Sequence, residues 1–343
     1  MSTVTTATSA LPEYRLSAAE TEELQESLRA VRVTGRPTDP EFYDRHWDLP
    51  AHLPAGLHGF LEHFRRRQPA AACLVHGFPV ADEMVGPTPG HWRQALDSDT
   101  TGSQELYLAM CGLALGEPFT WATLQSGAMV QNILPIAGDE YRQSGHGSEA
   151  LLEFHTEDGF HPARCDYLLL LGVRNPDRVP TYLASVRDVT LSAEQARVLS
   201  QPRFVILPDD EHIRQLQEQY PDHPALTHAV QMRERPAPVP VLFGDPQRPF
   251  LRIDRPFMRC VGEDPEAEQA LDALMAELQR VQQVVVLEPG MLLVVDNYLA
   301  VHGRKAFRSR HDGTDRWLKR MVVSRDLRRS LLAATPYRPR VLF

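Results

Sequence analysis

Long hydrophobic runs are missing from this 343-residue sequence. Its two most apolar stretches, 284–287 and 291–295, are separated by Glu288, Pro289 and Gly290. Because a membrane-spanning helix needs about 20 consecutive apolar residues, we expect no transmembrane segment. The opening stretch MSTVTTATSALPEY also lacks the basic region and apolar core of a signal peptide. These absences predict a cytoplasmic protein without a membrane partner.

Cysteine is scarce, and positive charge is not in excess. The four cysteines, Cys73, Cys111, Cys165 and Cys260, are widely separated and form no CxxC pair. This spacing favours reduced, buried thiols over a disulfide framework or a zinc ribbon. The formal net charge of −9 argues against a nucleic-acid partner, which would require a basic surface.

Short apolar runs bounded by turn residues dominate the chain after residue 150, and this pattern predicts β-strands. The runs are RCDYLLLLGVRNP, RFVILPDD, VPVLFGDPQRPFLRID, QVVVLEPGMLLVVDN and RWLKRMVVSRD. Helices are predicted where Ser17 and Glu20 form a capping box and where Asp264 precedes PEAEQALDALMAELQ. Residues 36–58, rich in proline and histidine, are predicted to be irregular.

The pattern as a whole indicates an α+β, mainly β protein with a double-stranded β-helix (jelly-roll) core and flanking helices. We expect a disordered tail over residues 1–12 and a single domain over residues 13–343, with helical decoration on its N-terminal side. The polar segment AGDEYRQSGHGSEA, residues 137–150, is either a mobile lid loosened by Gly145 and Gly147 or an ordinary surface loop.

The stretch FHTEDGFHP, residues 154–162, places His155 and Glu157 two residues apart. On an extended strand these two side chains share one face and can bind one metal ion, while Thr156 and Asp158 share the other face. A His-x-Glu pair also arises by chance, so the pair alone leaves a solvated loop as the alternative.

His302, in VVDNYLAVHGRKAF, is the candidate third ligand because it follows an apolar run that predicts a strand. Two imidazoles and one carboxylate on one side of a metal leave the opposite positions open, as in the 2-His-1-carboxylate site of non-heme Fe(II) oxygenases. The sequence therefore predicts an Fe(II) site made of His155, Glu157 and His302, which are also the predicted catalytic residues.

Two arginines lie on one face of the predicted strand in DRWLKRMVVSRD. Alternation groups Arg316, Leu318 and Arg320 on that face, with Trp317 and Lys319 on the other. Inward-facing arginines are costly to bury unless each binds an anion, and a guanidinium suits a carboxylate. Paired surface arginines on an edge strand are the alternative. Beside a metal triad, the pair indicates a pocket for a 2-oxo acid and an amino acid.

Two long motifs resemble the clavaminate-synthase-like branch of the Fe(II)/2-oxoglutarate oxygenases. They span residues 155–177 and 296–327, and weaker matches extend the resemblance over about residues 70–330. Within that branch the chain is similar to the group of free amino-acid hydroxylases that includes the viomycin-pathway arginine β-hydroxylase and asparagine oxygenase. The resemblance implies a jelly-roll enzyme that uses Fe(II), 2-oxoglutarate and O₂.

The resemblance also implies roles for single residues. Arg316 would bind the distal carboxylate of 2-oxoglutarate, with Thr181 as a helper. Arg320 would bind the α-carboxylate of the substrate. Asp254, in LRIDRPF, would meet the polar end of the substrate side chain.

The sequence departs from the arginine hydroxylase at two positions that face the substrate. Pro256 stands where that enzyme has a second acid, and Leu124 stands where it has a glutamine. Because a guanidinium has five N–H donors to satisfy, the loss of two acceptors weakens the case for arginine. Glu211, in PDDEH, is a candidate replacement, and Gln125 is also predicted to contact the substrate.

We therefore expect hydroxylation, at C3 or C4, of a free polar L-amino acid of the arginine, citrulline or lysine type, in natural-product (antibiotic) biosynthesis. An asparagine-type or carrier-tethered amino acid is the alternative substrate. Two other classes of function are a zinc hydrolase with the same three ligands, which would leave Arg316 without a purpose, and a jelly-roll binding protein that has lost its activity.

Overall fold

A computed structural model describes residues 10–219, 221–330, 334–335 and 338–342. The strands are β1 Glu13–Arg15, β2 Ala72–His76, β3 Glu117–Trp121, β4 Gln131–Ile133, β5 Leu152–His155, β6 Tyr167–Arg174, β7 Pro180–Ser185, β8 Phe204–Ile206, β9 Leu242–Asp245, β10 Arg248–Leu251, β11 Met258–Cys260, β12 Gln283–Val286, β13 Leu292–Asp296, β14 Ala300–Arg304, β15 Trp317–Ser324, β16 Ala334–Thr335 and β17 Arg338–Leu342. The α-helices are α1 Ala18–Ala30, α2 Pro40–Arg45, α3 Ala55–Arg67, α4 Asp82–Val85, α5 Trp92–Leu96, α6 Gly102–Leu115, α7 Ala193–Leu199, α8 Asp210–Gln219, α9 Pro224–Glu234 and α10 Pro265–Arg280.

Two sheets form the centre of the fold. The major sheet has the order β1-β2-β13-β6-β15-β3-β17-β16, and β4 pairs with β15 beside this path. The minor sheet has the order β12-β7-β14-β5, with all of its neighbours antiparallel. Sequential strands such as β13 and β14 lie in different sheets, as expected for the predicted jelly roll.

The major sheet is buried on both faces. On β6, Leu168 and Leu170 belong to the core shared with the minor sheet. Their neighbours Leu169 and Leu171 belong to a second core, which the helices α1, α3 and α6 complete. This double burial explains why the β6 run is apolar at nearly every position rather than at alternate ones.

The predicted fold is confirmed, with helices as an outer layer. Within the described residues the α-helices hold more residues than the strands do, but the two sheets enclose the site. The capping box of Ser17 and Glu20 begins α1, and the side chain of Asp264 accepts the N–H of Ala267 at the start of α10, both as predicted.

One local prediction was wrong. Residues 36–58 are not irregular throughout, because α2 forms there with a proline in its first turn and buries Phe42 and Tyr43. The disordered tail over residues 1–12 stays a prediction; at its end the carbonyl of Pro12 accepts the N–H of Leu74 at 3.0 Å. Residues 1–9 of that tail lie outside the described residues.

The four cysteines are free and buried, as predicted. No helix in the described part of the chain has both the length and the hydropathy that crossing a membrane requires.

Candidate active site

The three predicted metal ligands converge at one end of the minor sheet. His155 ends β5 and lies directly opposite His302 of β14 in the antiparallel register. The ring centroids of the two imidazoles are 4.2 Å apart. Nε2 of His302 lies 3.3 Å from Oε2 of Glu157, and the potential ligand atoms of all three residues lie within 4.8 Å of one another.

Neighbouring groups hold each ligand in place. Nδ1 of His155 donates to the carbonyl of Glu153 at 2.8 Å, which leaves Nε2 free for a metal. The strand ends at His155, and the backbone then turns sharply, with φ of 51° at Asp158. Asn297 binds the backbone of Glu157 on both sides, accepting its N–H at 2.7 Å and donating to its carbonyl at 3.0 Å.

The charges in the triad suit metal binding. Burial, followed by the proximity of His302, lowers the pKa of His155 to about 4, so the ring is neutral at pH 7. Burial raises the pKa of Glu157, but Arg320 and the two histidines outweigh it and leave this pKa lowered. A neutral imidazole and an ionised carboxylate are the forms that bind a metal ion.

The predicted 2-oxo acid site lies in the same pocket. Arg316 precedes β15, and its Nη2 donates to the hydroxyl of Thr181 on β7 at 3.2 Å. Its Nε is buried and has no partner among the described residues. Burial, and then the charge of Arg304, lowers the pKa of Arg316 to about 9. Arg316 therefore carries a buried positive charge that forms no ion pair with an acidic side chain among the described residues.

Arg320 lies between the triad and the rest of the pocket. Its Nη1 donates to Oε1 of Glu157 at 2.5 Å, and its Nε donates to the side-chain oxygen of Gln131 at 3.0 Å. Its Nη2 also donates to Gln131. Since a guanidinium has five N–H groups, two of those of Arg320 make no hydrogen bond to a described residue.

The opposite end of the pocket is acidic. Asp254 pairs with His155 in an isolated β-bridge, so it lies beside the metal ligands. Burial, and then the carboxylates of Asp209 and Glu157, raises the pKa of Asp254 well above its ordinary value. Burial also raises the pKa of Asp209. Asp254 has no lysine or arginine partner in the part of the chain that the structure describes. Asp209 accepts the backbone N–H of His212 at 3.0 Å, and its charge raises the pKa of both His212 and Arg320.

Two other predicted substrate residues line the pocket but are already bonded. The carboxylate of Glu211 accepts from Arg214 at 2.8 Å and from Gln215 at 2.9 Å. The side-chain amide of Gln125 donates to the carbonyl of Asn132 at 2.8 Å and accepts its N–H at 2.9 Å. In this structure the side chain of Gln125 holds the start of β4, and its role in substrate binding stays a prediction.

The pocket is a single cavity that all these residues share. It encloses about 1040 Å³ of empty space, its open mouth included. The segment 137–150 contributes four lining residues, Gln143, Ser144, Gly145 and His146, to one wall. That segment is therefore part of the pocket rather than a remote surface loop.

Sequence reasoning missed three residues of this pocket. Arg304 could have been found, because it follows His302 by two residues and so shares its face of the strand. Asp209 lies in the loop after β8, and Gln131 lies on the short strand β4. No periodic signal marks either of them.

A profile of the taurine catabolism dioxygenase TauD/TfdA family matches residues 123–322, which include the three ligands and both arginines. The chain belongs to this family. Enduracididine β-hydroxylase of Streptomyces hygroscopicus is 40% identical over 301 residues, which cover 85% of this chain and 87% of that protein. L-ornithine/L-arginine 3-hydroxylase of Catenulispora acidiphila is 37% identical over 286 residues, with coverages of 81% and 83%.

Among solved structures, the TauD/TfdA chain matches the non-heme iron oxygenase OrfP in complex with Fe, succinate and (3S)-hydroxy-L-Arg. The TM-score is 0.89 at 37% identity, covering 97% of this chain and 100% of that one. OrfP in complex with Fe and α-ketoglutaric acid matches with a TM-score of 0.85, with the same identity and coverages. The chain is thus an Fe(II)/2-oxoglutarate-dependent oxygenase, and we set aside the zinc hydrolase and the inactive binding protein.

The residues present fit both groups. His155, Glu157 and His302 supply the donor set of a non-heme iron site with open positions. The unpartnered Nε of Arg316 marks a place for a carboxylate next to that site. Together they would hold iron and the distal end of 2-oxoglutarate.

Proposed function

We propose that the protein hydroxylates, at C3 or C4, a free L-amino acid with a cationic side chain, of which a guanidine such as L-arginine is the first candidate. The observation that carries this proposal is the polarity of the pocket. Two N–H groups of Arg320 make no hydrogen bond to a described residue and would be available for an α-carboxylate, while the buried carboxylate of Asp254 has no cationic partner among the described residues.

The two ends of the pocket would fix the substrate along its length. Arg320 would bind the α-carboxylate, and Asp254 would bind the guanidinium or ammonium group. The carbon atoms between the two ends would then lie over the triad, because Arg320 contacts Glu157 and Asp254 pairs with His155. Fixing both ends selects the carbon that reacts.

Bound iron would supply the oxidising power, through the oxidative decarboxylation of 2-oxoglutarate by O₂ to succinate and CO₂. The chain itself would hold the cosubstrate through Arg316 and Thr181 and would keep the imidazole of His155 neutral. The apolar walls formed by Leu170, Leu318 and Phe160 would limit the access of water.

The relatives support the substrate class. One acts on enduracididine and another on L-ornithine and L-arginine, as their names state, and OrfP binds L-Arg and L-homoarginine. These names support a role in modifying an amino acid for natural-product assembly. The four free cysteines support our further proposal that the enzyme works in the reducing cytoplasm.

The test is a panel of free amino acids incubated with Fe(II), 2-oxoglutarate, ascorbate and O₂. We expect a mass gain of one oxygen and stoichiometric succinate with L-arginine, L-ornithine or L-enduracididine. Asp254→Asn should abolish the preference for cationic side chains, while Glu22→Gln, which changes an exposed acid on α1 that does not line the pocket, serves as the control. Coupled turnover with citrulline or asparagine alone would contradict the proposal.

Pro256 supports a second candidate class of substrate, amino acids with a neutral side chain. It lines the pocket, and its side chain offers no hydrogen-bond acceptor there. A neutral side chain such as that of citrulline or asparagine would need fewer acceptors than a guanidinium does. A carrier-tethered amino acid would instead lack the free α-carboxylate for Arg320, so the free and the thioester-linked forms of the best substrate should be compared.

A further inference from the structure

Arg304 is a second buried guanidinium at the cosubstrate end of the pocket. It follows His302 by two residues on β14, and only 3% of its surface is exposed. In the β14–β7 register Arg304 lies opposite Thr181, whose hydroxyl accepts from Arg316. Arg304, Thr181 and Arg316 thus form one continuous part of the pocket wall.

The guanidinium of Arg304 contacts only neutral groups, and its Cζ lies 4.9 Å from the centroid of the Phe307 ring. Its Nη1 donates to the carbonyl of Ser148 at 3.0 Å and, less closely, to that of Lys305 at 3.4 Å. Its Nη2 donates to the carbonyl of Ala150 at 3.2 Å, and its Nε has no partner among the described residues. These acceptors are neutral, so two buried positive charges share this wall without an acidic side chain.

We propose that Arg304 is a positioning residue that makes the pocket selective for a dicarboxylic 2-oxo acid. This inference rests on the use of 2-oxoglutarate by the enzyme. The charge of Arg304 adds to that of Arg316 at the distal carboxylate. Its fork also holds the carbonyls of Ser148 and Ala150, which lie just before β5 and the ligand His155.

Two substitutions separate the effect of the positive charge of Arg304 from that of its hydrogen bonds to the carbonyls of Ser148 and Ala150. Arg304→Lys keeps the positive charge but lacks the fork that spans two carbonyls. Arg304→Gln keeps a donor and removes the charge. The matched control is Arg310→Gln, which removes a charge from a residue that is 42% exposed and paired with Asp177.

The experiment is anaerobic calorimetric titration of the Fe(II)-loaded protein with 2-oxoglutarate and with 2-oxopentanoate, which carries a methyl group in place of the distal carboxylate. The weaker ligand is measured by displacement. Arg304→Gln should weaken the binding of 2-oxoglutarate roughly tenfold or more and should leave 2-oxopentanoate almost unchanged. Arg304→Lys should keep most of the affinity for 2-oxoglutarate, and Arg310→Gln should keep all of it.

An equal loss for both acids in Arg304→Gln would overturn the proposal, since Arg304 would then act only as a clamp. Unchanged affinities would overturn it as well. The titrations contain no amino acid, so an error in the proposed amino-acid substrate would not affect them. Failure of the unsubstituted protein to bind 2-oxoglutarate would instead refute the cosubstrate itself.

Discussion

Several charged side chains of the pocket lack a partner of the other sign among the described residues. Arg316 and Arg304 form no ion pair with an acid there, and Asp254 forms none with a lysine or arginine. Burying unpaired charge costs stability. The cost is justified if each end receives a ligand group of complementary charge, because an already positioned charge then binds without reorganisation.

Arg316 should determine the affinity for 2-oxoglutarate. Arg316→Met removes a buried charge that would pair with the distal carboxylate, so the KM for 2-oxoglutarate should rise by roughly 30-fold or more. The KM for the amino acid should change much less, because we propose that Arg320 rather than Arg316 binds that substrate. Thr181→Val, which removes only the hydroxyl that accepts from Arg316, should have a smaller effect. Steady-state kinetics with each substrate varied in turn checks this, and equal rises in both KM values would count against it.

Asp254 should lower the stability of the ligand-free protein, although it would help to bind the substrate. Its pKa lies well above the ordinary 3.8 in the folded chain, so folding takes up a proton between 3.8 and the raised value. Stability contributed by this group therefore falls as pH rises through that window. Asp254→Asn should be more stable than the unsubstituted protein at pH 7.5 and should bind a cationic substrate more weakly.

The pH dependence of the Tm gain provides the control for Asp254→Asn. The gain in Tm at pH 7.5 should shrink towards pH 5, where the unsubstituted Asp254 holds more of its proton. Differential scanning fluorimetry without metal or substrate provides the values. A Tm gain that grows as the pH falls would have the wrong sign for this explanation.

Sequence patterns identified residues that lie on regular strands or directly beside them. Alternation placed Arg316, Leu318 and Arg320 on one face, and all three line the pocket. Asp209 was not identified, because it lies in the loop between β8 and α8, where no periodicity applies. In the structure, burial together with the other carboxylates near it raises its pKa.

At the level of elements, the two faces of β15 have different environments. One face contributes side chains to the pocket, and the other packs into the outer core. Lys319 points away from the pocket and is fully buried, with its Nζ 2.8 Å from Oε1 of Glu105 on α6. The hydroxyl of Thr101 also donates to Glu105, at 3.1 Å. This ion pair fastens the strand that carries Arg320 to the helical layer. Its partners are separated by 214 positions in the sequence, which explains why no local pattern could predict the pair.

Breaking this ion pair should destabilise the fold. Lys319→Met leaves the carboxylate of Glu105 buried without a cation and should lower the free energy of unfolding by about 3–5 kcal/mol. Lys319→Met combined with Glu105→Leu should recover most of the loss, because no unpaired charge then remains. Denaturant unfolding of the two variants measures both values. A loss below about 1 kcal/mol in the single variant would mean that water reaches Glu105.

The β5–β14 ladder aligns two metal ligands, and a glycine makes this pairing possible. A Cβ at Gly303 would lie 2.6 Å from the carbonyl oxygen of Leu152, so the strands would have to separate. Gly303→Ala should therefore lower the affinity for Fe(II) by roughly tenfold or more, since His302 and His155 would lose their register. Metal titration together with circular dichroism checks this. Native metal affinity in a folded variant would show that the ladder tolerates the shift.

At the scale of the whole molecule, the site lies between two sheets that come from distant parts of the chain. The jelly roll was predictable because its strands are short apolar runs with clear ends. From the sequence, His155 and His302 could be paired only by their residue type. The order of strands in the minor sheet explains why the two side chains are adjacent. The helices α1, α3 and α6 pack on the outer face of the major sheet. They support β15 there and so hold Arg320 in position.

Metal removal should lower the stability of the entire fold. The ion would bind residues of β5, of β14 and of the loop after β5 only in the folded chain, so it stabilises that state by mass action. At a free metal concentration 100 times the Kd, the gain is about 2.7 kcal/mol. Calorimetric Tm values before and after chelation measure it, with Glu157→Ala as the variant that should not respond. A response of equal size in Glu157→Ala would place the ion elsewhere.

The unpaired Arg316 also affects how a catalytic cycle ends. Oxidative decarboxylation shortens the cosubstrate at its oxo end and leaves the distal carboxylate unchanged. The product diacid therefore keeps the group that this guanidinium recognises and loses only its chelating end. Succinate should therefore remain a ligand of this guanidinium and should inhibit by competing with 2-oxoglutarate.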